Sequence, residues 1–330
     1  MDQNEVKVGI VGVGGMGQAH VRGLAAVPGA RIVAVCDHDE ALARKVAEPL
    51  DAAVFTDGAT MFNEAEIEAV YICVPPHSHE DLEVTAAQKG LHLFVEKPVN
   101  LFLPEALAAR DAILAAGVLS QTGYQLRYMA HFRQLRDLLA DREVGTASVS
   151  RWGGAPGKDW WRRYDQGGGQ LVEMATHQVD MLRWLMGEVE SVSASYSFER
   201  LFRWERGITV PDSQAVLLRF VSGASATLSI SCAAGKASMN TMDFVLRDMK
   251  VSVKGESVEV SPEGACTLPT PQEETLTADM AFVRAVQTGD RSLLLSPFEE
   301  GLKTAVVTLA ANRSAEEGGR LVRIDELLSG

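Results

Sequence analysis

Cysteine is scarce and scattered in this 330-residue chain. Cys36, Cys73, Cys232 and Cys266 form no C-x-x-C pair, and two of them end apolar runs, where a buried free thiol is the ordinary state. No apolar stretch approaches the length needed to span a bilayer. The opening Met1-Asp2-Gln3-Asn4-Glu5 is acidic and polar, unlike a secretory signal. There is no basic excess either: 31 Lys and Arg face 44 Asp and Glu, for a net charge of −13. Nucleic acid is therefore excluded as the expected partner, because phosphate backbones call for a basic surface. A small anionic ligand is not excluded, since a cluster of backbone N–H groups holds a phosphate whatever the net charge. The expectation is a cytoplasmic, disulfide-free protein without membrane or nucleic-acid partners.

What is present is enough apolar sequence for a full core, 46% hydrophobic against 23% charged, in a chain long enough for two domains. Across residues 1–122, short apolar runs (Val6–Val11, Arg31–Cys36, Ala53–Phe55, Ala69–Cys73, His92–Val95, Leu119–Thr122) alternate with helical segments. The helices are expected near Met16–Ala26, Glu40–Leu50, Ala59–Phe62, Glu80–Lys89 and Pro104–Ala115, the last capped by Gly117. This alternation predicts an α/β Rossmann domain, a doubly wound parallel sheet of six strands. From residue 123 to 330 the pattern changes. Helices are expected at Met129–Leu139, about Gln170–Met186, Ala278–Thr288 and Pro297–Ala315. Strands are expected at Ala147–Arg151, Val189–Phe198, Gln214–Phe220, Ala224–Cys232, Met242–Leu246, Ser257–Val260 and Leu321–Ile324. Strands joined by short turns imply an α+β domain with a large, mostly antiparallel sheet covered by helices on one face.

The segment Gly9-Ile10-Val11-Gly12-Val13-Gly14-Gly15-Met16-Gly17 carries G-x-G-x-x-G at Gly12, Gly14 and Gly17. Such a triplet is weak evidence alone, but here it follows an apolar strand and opens a helix. Gly12 permits the sharp turn, Gly14 admits a pyrophosphate, and Gly17 lets helix pack on sheet. The N–H groups from Gly14 through Gly15 and Met16 then face the phosphates. Asp37, 20 residues after Gly17 at the end of the second strand, is placed to accept bonds from ribose hydroxyls. Its charge repels a 2′-phosphate and no Arg immediately follows it, so NAD is expected over NADP. A further cofactor contact is expected in Val74-Pro75-Pro76-His77-Ser78-His79, after the fourth strand. There His77 and His79 are either cofactor contacts or ordinary surface histidines.

The fifth strand ends in Glu96-Lys97-Pro98, at the rim of the expected nicotinamide pocket. Lys97 is either a donor to a reacting oxygen or half of a strand-end ion pair stopped by Pro98. On the expected 170–186 helix, Leu171, Met174, Ala175, Met181, Leu182, Leu185 and Met186 gather on one side. Glu173, His177, Asp180 and Trp184 fall within about 60° of one another on the other. That stripe suggests a face turned to a cleft, with Glu173 orienting His177 as a general base from i−4. The spacing matches no metal motif, and no metal is expected. Gly167-Gly168-Gly169 precedes the helix, either as a close approach for a ligand or as a flexible lead-in.

Gly12–Gly17 with Asp37, Glu96-Lys97-Pro98, and Gly167-Gly168-Gly169 leading to His177 and Asp180 resemble the glucose–fructose oxidoreductase/inositol dehydrogenase/rhizopine catabolism (Gfo/Idh/MocA) family over essentially the whole chain. The resemblance implies hydride transfer between nicotinamide and a sugar or cyclitol hydroxyl. It maps a catalytic set onto Lys97, Glu173 and His177, with Glu96 and Lys97 also at the cofactor. It implies substrate contacts at Tyr124, Arg127, Tyr128, Trp161 and Arg162, besides His177. Glu173 departs from the Asp of the closest dehydrogenases, moving the carboxylate by roughly one C–C bond. Either His177 takes the hydroxyl proton while Lys97 stabilises the oxygen, or Lys97 takes it and His177 orients. Two rival functions are an NAD-dependent glycosidase acting through transient oxidation and a non-catalytic nucleotide-binding regulator. Finally, alternate positions in 191–197 (Ser191, Ser193, Ser195, Ser197) and in 225–232 (Ser225, Thr227, Ser229, Ser231) make a small, uncharged sheet face. That face is expected to pack on a second copy, as a homodimer or homotetramer.

Overall fold

The computed structural model describes residues 5–203, 205–269 and 276–328. Two compact units emerge: the first comprises residues up to Gln125 together with Leu276–Leu302, the second the chain from Leu126 and again from Lys303. The boundary expected at 122/123 thus lies close to the break at 125/126. The expectation of two contiguous domains fails, because Leu276–Leu302 returns to the first unit.

In the first unit, β1 (Val6–Val11), β2 (Ala30–Cys36), β3 (Ala53–Phe55), β4 (Ala69–Ile72), β5 (His92–Val95) and β6 (Ser120–Thr122) form one sheet of order β3-β2-β1-β4-β5-β6. Every pairing is parallel. β1 and β4 are apolar almost throughout because helices cover both faces of such a sheet. The strand order reverses between β1 and β4, which puts the carboxyl ends of those strands at the ligand-binding crevice of this fold. Asp39 and Asp57 start their helices by accepting backbone N–H bonds, and Gly117, at φ 68°, ends the helix Leu103–Ala116. The returning segment is stitched to β6: Thr122 N–H donates to the Ser296 carbonyl at 2.7 Å, and Gln121 Nε2 donates to Ser296 Oγ at 2.7 Å.

In the second unit, β7 (Val144–Trp152), β8 (Val189–Ser197), β9 (Ser213–Phe220), β10 (Ser225–Ser231), β11 (Met239–Leu246), β12 (Met249–Lys254), β13 (Ser257–Ser261) and β14 (Val322–Arg323) form a sheet of order β13-β12-β11-β7-β10-β9-β8-β14. It is antiparallel except for β7 against β10. Along β9 and β10 burial alternates with period two. Val216, Leu218, Phe220, Ala226, Leu228 and Ile230 form the inner face, packed in one cluster with helix residues such as Leu135, Val179, Leu182 and Ala310. The outer face carries Ser148, Ser193, Ser195, Ala215, Leu217, Thr227 and Ser229 around a shallow depression. Ser191 keeps the register of Ser193 and Ser195, opposite Arg219, but is buried where β14 pairs with β8. β12 was not expected from the sequence.

No helix among the described residues is long and apolar enough to cross a membrane. All four cysteines are free thiols.

Candidate active site

The glycine turn assigns each glycine a different task. Gly12 has φ +81°, and a Cβ there would meet the Cys73 carbonyl oxygen at 2.8 Å, so β4 closes directly against the turn. A Cβ on Gly17 would sit 2.0 Å from the Gly12 carbonyl oxygen, which leaves no room for any side chain. A Cβ on Gly14 or Gly15 would meet nothing within 4 Å. The protein itself therefore does not need glycine at those two positions for space, and the backbone there is open to the close approach of a ligand. The helix Gly15–Leu24 starts at Gly14 without a side-chain cap, so its first N–H groups point outward, and Met16 is exposed. Gln18 Nε2 donates to the Val13 carbonyl at 2.9 Å and steadies the turn.

Asp37, buried at the end of β2, accepts from Val13 N at 2.9 Å and from Asp39 N at 3.0 Å. A carboxylate has about four acceptor positions, so it retains capacity for a diol. Outward helix N–H groups, open space over Gly14 and an anchored acidic residue together suit a nicotinamide dinucleotide. Val74 and Pro75 follow β4 and are half-buried, as is His77 in the short turn Pro76–Ser78.

Two of the expected cofactor contacts are buried in polar pairs. His79 is 1% exposed and pairs through Nδ1 with the buried Glu83 carboxylate one helical turn on, so it is not a surface residue. Glu96 is likewise buried, with Oε1 3.0 Å from His20 Nε2 and Oε2 accepting from Lys97 N at 3.1 Å. Beyond it, Lys97 is half-buried at the carboxyl end of β5, followed by a cis peptide to Pro98. His20 escaped the sequence reading altogether. Its ring also meets Asp279 Oδ1 at 2.8 Å through Nδ1. Burial alone would push the imidazole down, but the hydrogen bonds to Asp279 and Glu96 and their charges outweigh it and raise the group to about 10. The available signal was a polar residue in the buried stripe Gly17, His20, Leu24. Cys73 offers no nucleophile, because burial, with Glu96 and Asp279 adding to it, pushes its thiol well up.

In the second unit the expected 170–186 helix is two. Gln170–Glu173 ends where Ala175 N donates to the Gln170 carbonyl, five residues back, and Thr176–Met186 begins anew. Glu173 and His177 therefore belong to different helices. Glu173, nearly buried, accepts from the Trp161 indole N–H at 2.7 Å, while His177 is half-buried at the head of the second helix. Trp161 is 1% exposed in a cluster with Phe202, Ile208, Val210 and Cys232, so its ring is a wall and its N–H an anchor for Glu173. Arg162 is half-buried and donates to the Pro156 carbonyl at 3.3 Å.

The polar stripe does not stay on an open face. Asp180 is fully buried and takes a two-pronged pair from Arg127, with Nε and Nη2 at 2.9 and 2.7 Å, plus a bond from Thr304 Oγ1 at 3.1 Å. Burial raises the Asp180 carboxyl while the Arg127 guanidinium opposes that rise. Arg127, expected as a substrate contact, is thus part of a buried structural pair. Trp184 packs beneath Arg136, whose guanidinium lies 4.3 Å from its ring centre. Tyr124 and Tyr128 are both buried. Among the described residues no group of three or more His, Cys, Asp or Glu is arranged to hold a metal ion.

A reversing parallel sheet, a glycine turn shaped for a ligand and an acidic residue ending β2 define a dinucleotide-binding protein of the Rossmann class. Residues 6–124 match the oxidoreductase family with an NAD-binding Rossmann fold, and residues 132–260 match the GFO/IDH/MocA C-terminal domain. The chain belongs to the Gfo/Idh/MocA oxidoreductase family. It is 32% identical to an inositol 2-dehydrogenase of Rhizobium meliloti over 231 residues, 68% of either chain. It is 30% identical to the scyllo-inositol 2-dehydrogenase (NAD(+)) of Bacillus subtilis, over 58% of this chain and 57% of that one. The matched stretch thus spans little more than half of that relative. The solved WlbA dehydrogenase from Bordetella pertussis, in complex with NADH and UDP-GlcNAcA, superposes with a TM-score of 0.82 over 97% of this chain and 98% of its own. At 21% identity that likeness concerns the fold.

Proposed function

We propose that this protein is an NAD(H)-dependent dehydrogenase that moves a hydride between nicotinamide and a secondary hydroxyl of a sugar, cyclitol or related polyol. The observation that carries the reading is the free space over Gly14 and Gly15 at an uncapped helix start, in a sheet whose order reverses beside it. The inositol dehydrogenases among its relatives support the substrate class. The Asp37 carboxylate favours NAD over NADP, since it would repel a 2′-phosphate.

When bound, the nicotinamide ring supplies the acceptor or donor of the hydride. In this reading His177 takes the hydroxyl proton, and Glu173, itself held by the Trp161 N–H, supports it. Lys97 donates to the reacting oxygen and stabilises the charge that grows there. The opposite assignment gives Lys97 the proton and His177 the orienting role. Of the expected substrate contacts Arg162 stays in the scheme, while the buried Tyr124 and Trp161 act only through the side chains they support. A panel of sugars, cyclitols and sugar acids with NAD⁺ and NADP⁺, followed at the absorbance of the reduced cofactor, tests it. Cleavage of an aryl glycoside with retained cofactor and no net NADH would favour the glycosidase reading instead. NADH binding without turnover of any polyol would favour a regulator.

We also propose that copies associate through the outer face of the second-unit sheet. Ser148, Ser195, Thr227 and Ser229 surround Leu217, which is 40% exposed, while Val245 and Met239 are similarly open on β11. A flat sheet face of small hydroxyl and apolar groups suits another flat face better than water. Sedimentation should give a dimer or tetramer that Leu217→Arg dissociates, and a monomeric wild type would reject this. Scattered free thiols and an acidic composition fit a cytoplasmic location.

A further inference from the structure

The first unit contains a charged cluster that the proposed chemistry does not use directly. His20 projects from the helix Gly15–Leu24 and spans two carboxylates: Glu96 at the end of β5 and Asp279 on the returning helix Ala278–Thr288. Its ring lies against aromatic neighbours, 4.9 Å from Phe94 and 5.1 Å from Tyr71 between centroids. The surroundings are shaped around the three groups. A Cβ on Gly23 would meet Asp279 Oδ2 at 2.4 Å, and one on Gly123 would meet Glu96 Oε1 at 2.3 Å. Glu96 in turn accepts the Lys97 backbone N–H at 3.1 Å. The Glu96 carboxylate therefore has His20 on one oxygen and the Lys97 peptide on the other.

We propose that His20 is a positioning residue for Lys97: by tying Glu96 to Asp279 it fixes the peptide from which the Lys97 side chain rises and offsets the carboxylate charge beside it. This rests on the reading of Lys97 as a catalytic group. An imidazole between two carboxylates is held as the doubly protonated cation, and loss of either carboxylate would leave the cation buried with one counter-charge. The titratable and charged groups facing the ring are Glu96, Asp279 and Tyr71. Replacing His20 by a neutral residue removes the cation that ties Glu96 to Asp279 and so frees the carboxylate that holds the Lys97 peptide.

The experiment needs no known substrate. The intact protein and its His20→Gln variant are acetylated with trace acetic anhydride at pH 8, and each lysine is followed by mass spectrometry. Exposed Lys45 and Lys89 serve as internal standards. The expected result is that Lys97, no longer held at its corner, labels at least threefold faster in the variant while both standards are unchanged. A merely structural role for His20 would loosen the whole sheet and speed half-buried Lys7 on β1 equally; that result, or unchanged or slower labelling of Lys97, overturns the proposal. If His20→Gln fails to fold, the unmutated protein still decides: its His20 ring nitrogens should both carry protons by nitrogen NMR at pH 8, and a neutral ring there overturns it. With a polyol that is turned over, His20→Gln should lower kcat at least tenfold and leave NADH affinity within twofold. If no polyol is turned over, the dehydrogenase reading fails by itself, while labelling and NMR still judge His20.

Discussion

Arg127 and Asp180 form a fully buried two-pronged ion pair in the second unit, 53 residues apart in sequence and joined at 2.7 and 2.9 Å. Asp180→Ala leaves a guanidinium without its main counter-charge in the interior and should cost about 3–5 kcal/mol of stability. The exposed pair of Lys254 with Glu259 provides the contrast, because Glu259→Ala should cost at most about 1 kcal/mol. Urea denaturation of the two variants measures the difference, and equal midpoints would contradict it.

The glycines of the turn should separate folding from ligand binding. Gly17→Ala drives a methyl onto the Gly12 carbonyl and should lower the melting temperature and abolish NADH binding together. Gly14→Ala meets no protein atom, so stability should stay within about 0.5 kcal/mol of wild type. Its methyl occupies the space left for the pyrophosphate, and NADH should bind at least tenfold more weakly, about 1.4 kcal/mol. Calorimetry on both variants reads both quantities.

Cofactor choice should follow Asp37. Asp37→Asn keeps an oxygen for the Val13 N–H but removes the charge that repels a 2′-phosphate. The ratio of NADPH to NADH affinity should rise by about tenfold or more, given that a charge contact is worth more than 1.4 kcal/mol here. An unchanged ratio in fluorescence titration would remove Asp37 from the ribose site.

His20 predicts a pH dependence of definite sign. Its group is raised from 6.5 to about 10 in the folded chain, so the folded state holds a proton that the unfolded chain has lost across that range. The stability it adds is full below about pH 6.5 and is lost as pH rises towards 10, at up to about 1.4 kcal/mol per pH unit. The stability difference between wild type and His20→Gln should therefore shrink between pH 7 and 10. A difference constant over that interval would mean that the ring is neutral.

What the sequence revealed was local. Strand–helix alternation, the glycine turn and Asp37 lie within the first 40 residues or repeat at short range, so period and spacing expose them. Asp279 stands 259 residues from His20 on an ordinary amphipathic helix, and nothing in its neighbourhood signals a partner. The same distance effect made Arg127 read as a ligand contact, since its carboxylate lies on another helix. The break at Met174 and Ala175 carries no Gly or Pro, and the apolar period runs through it, so one helix was the natural reading. β12 was overlooked although Val251 and Val253 alternate with Lys250, Ser252 and Lys254; the Arg247-Asp248 turn before it, with Asp248 at φ 57°, is tight enough to be read as a strand end.

The central claim is that Lys97 and His177 serve NAD-dependent oxidation of a polyol. Initial rates of NADH formation across the cyclitol and sugar panel, for wild type, Lys97→Ala and His177→Ala, test it most directly. The account predicts turnover of at least one polyol, falling by about a hundredfold or more in each variant, as loss of a general acid–base group does, with NADH affinity nearly unchanged. Full turnover retained in both variants would contradict it.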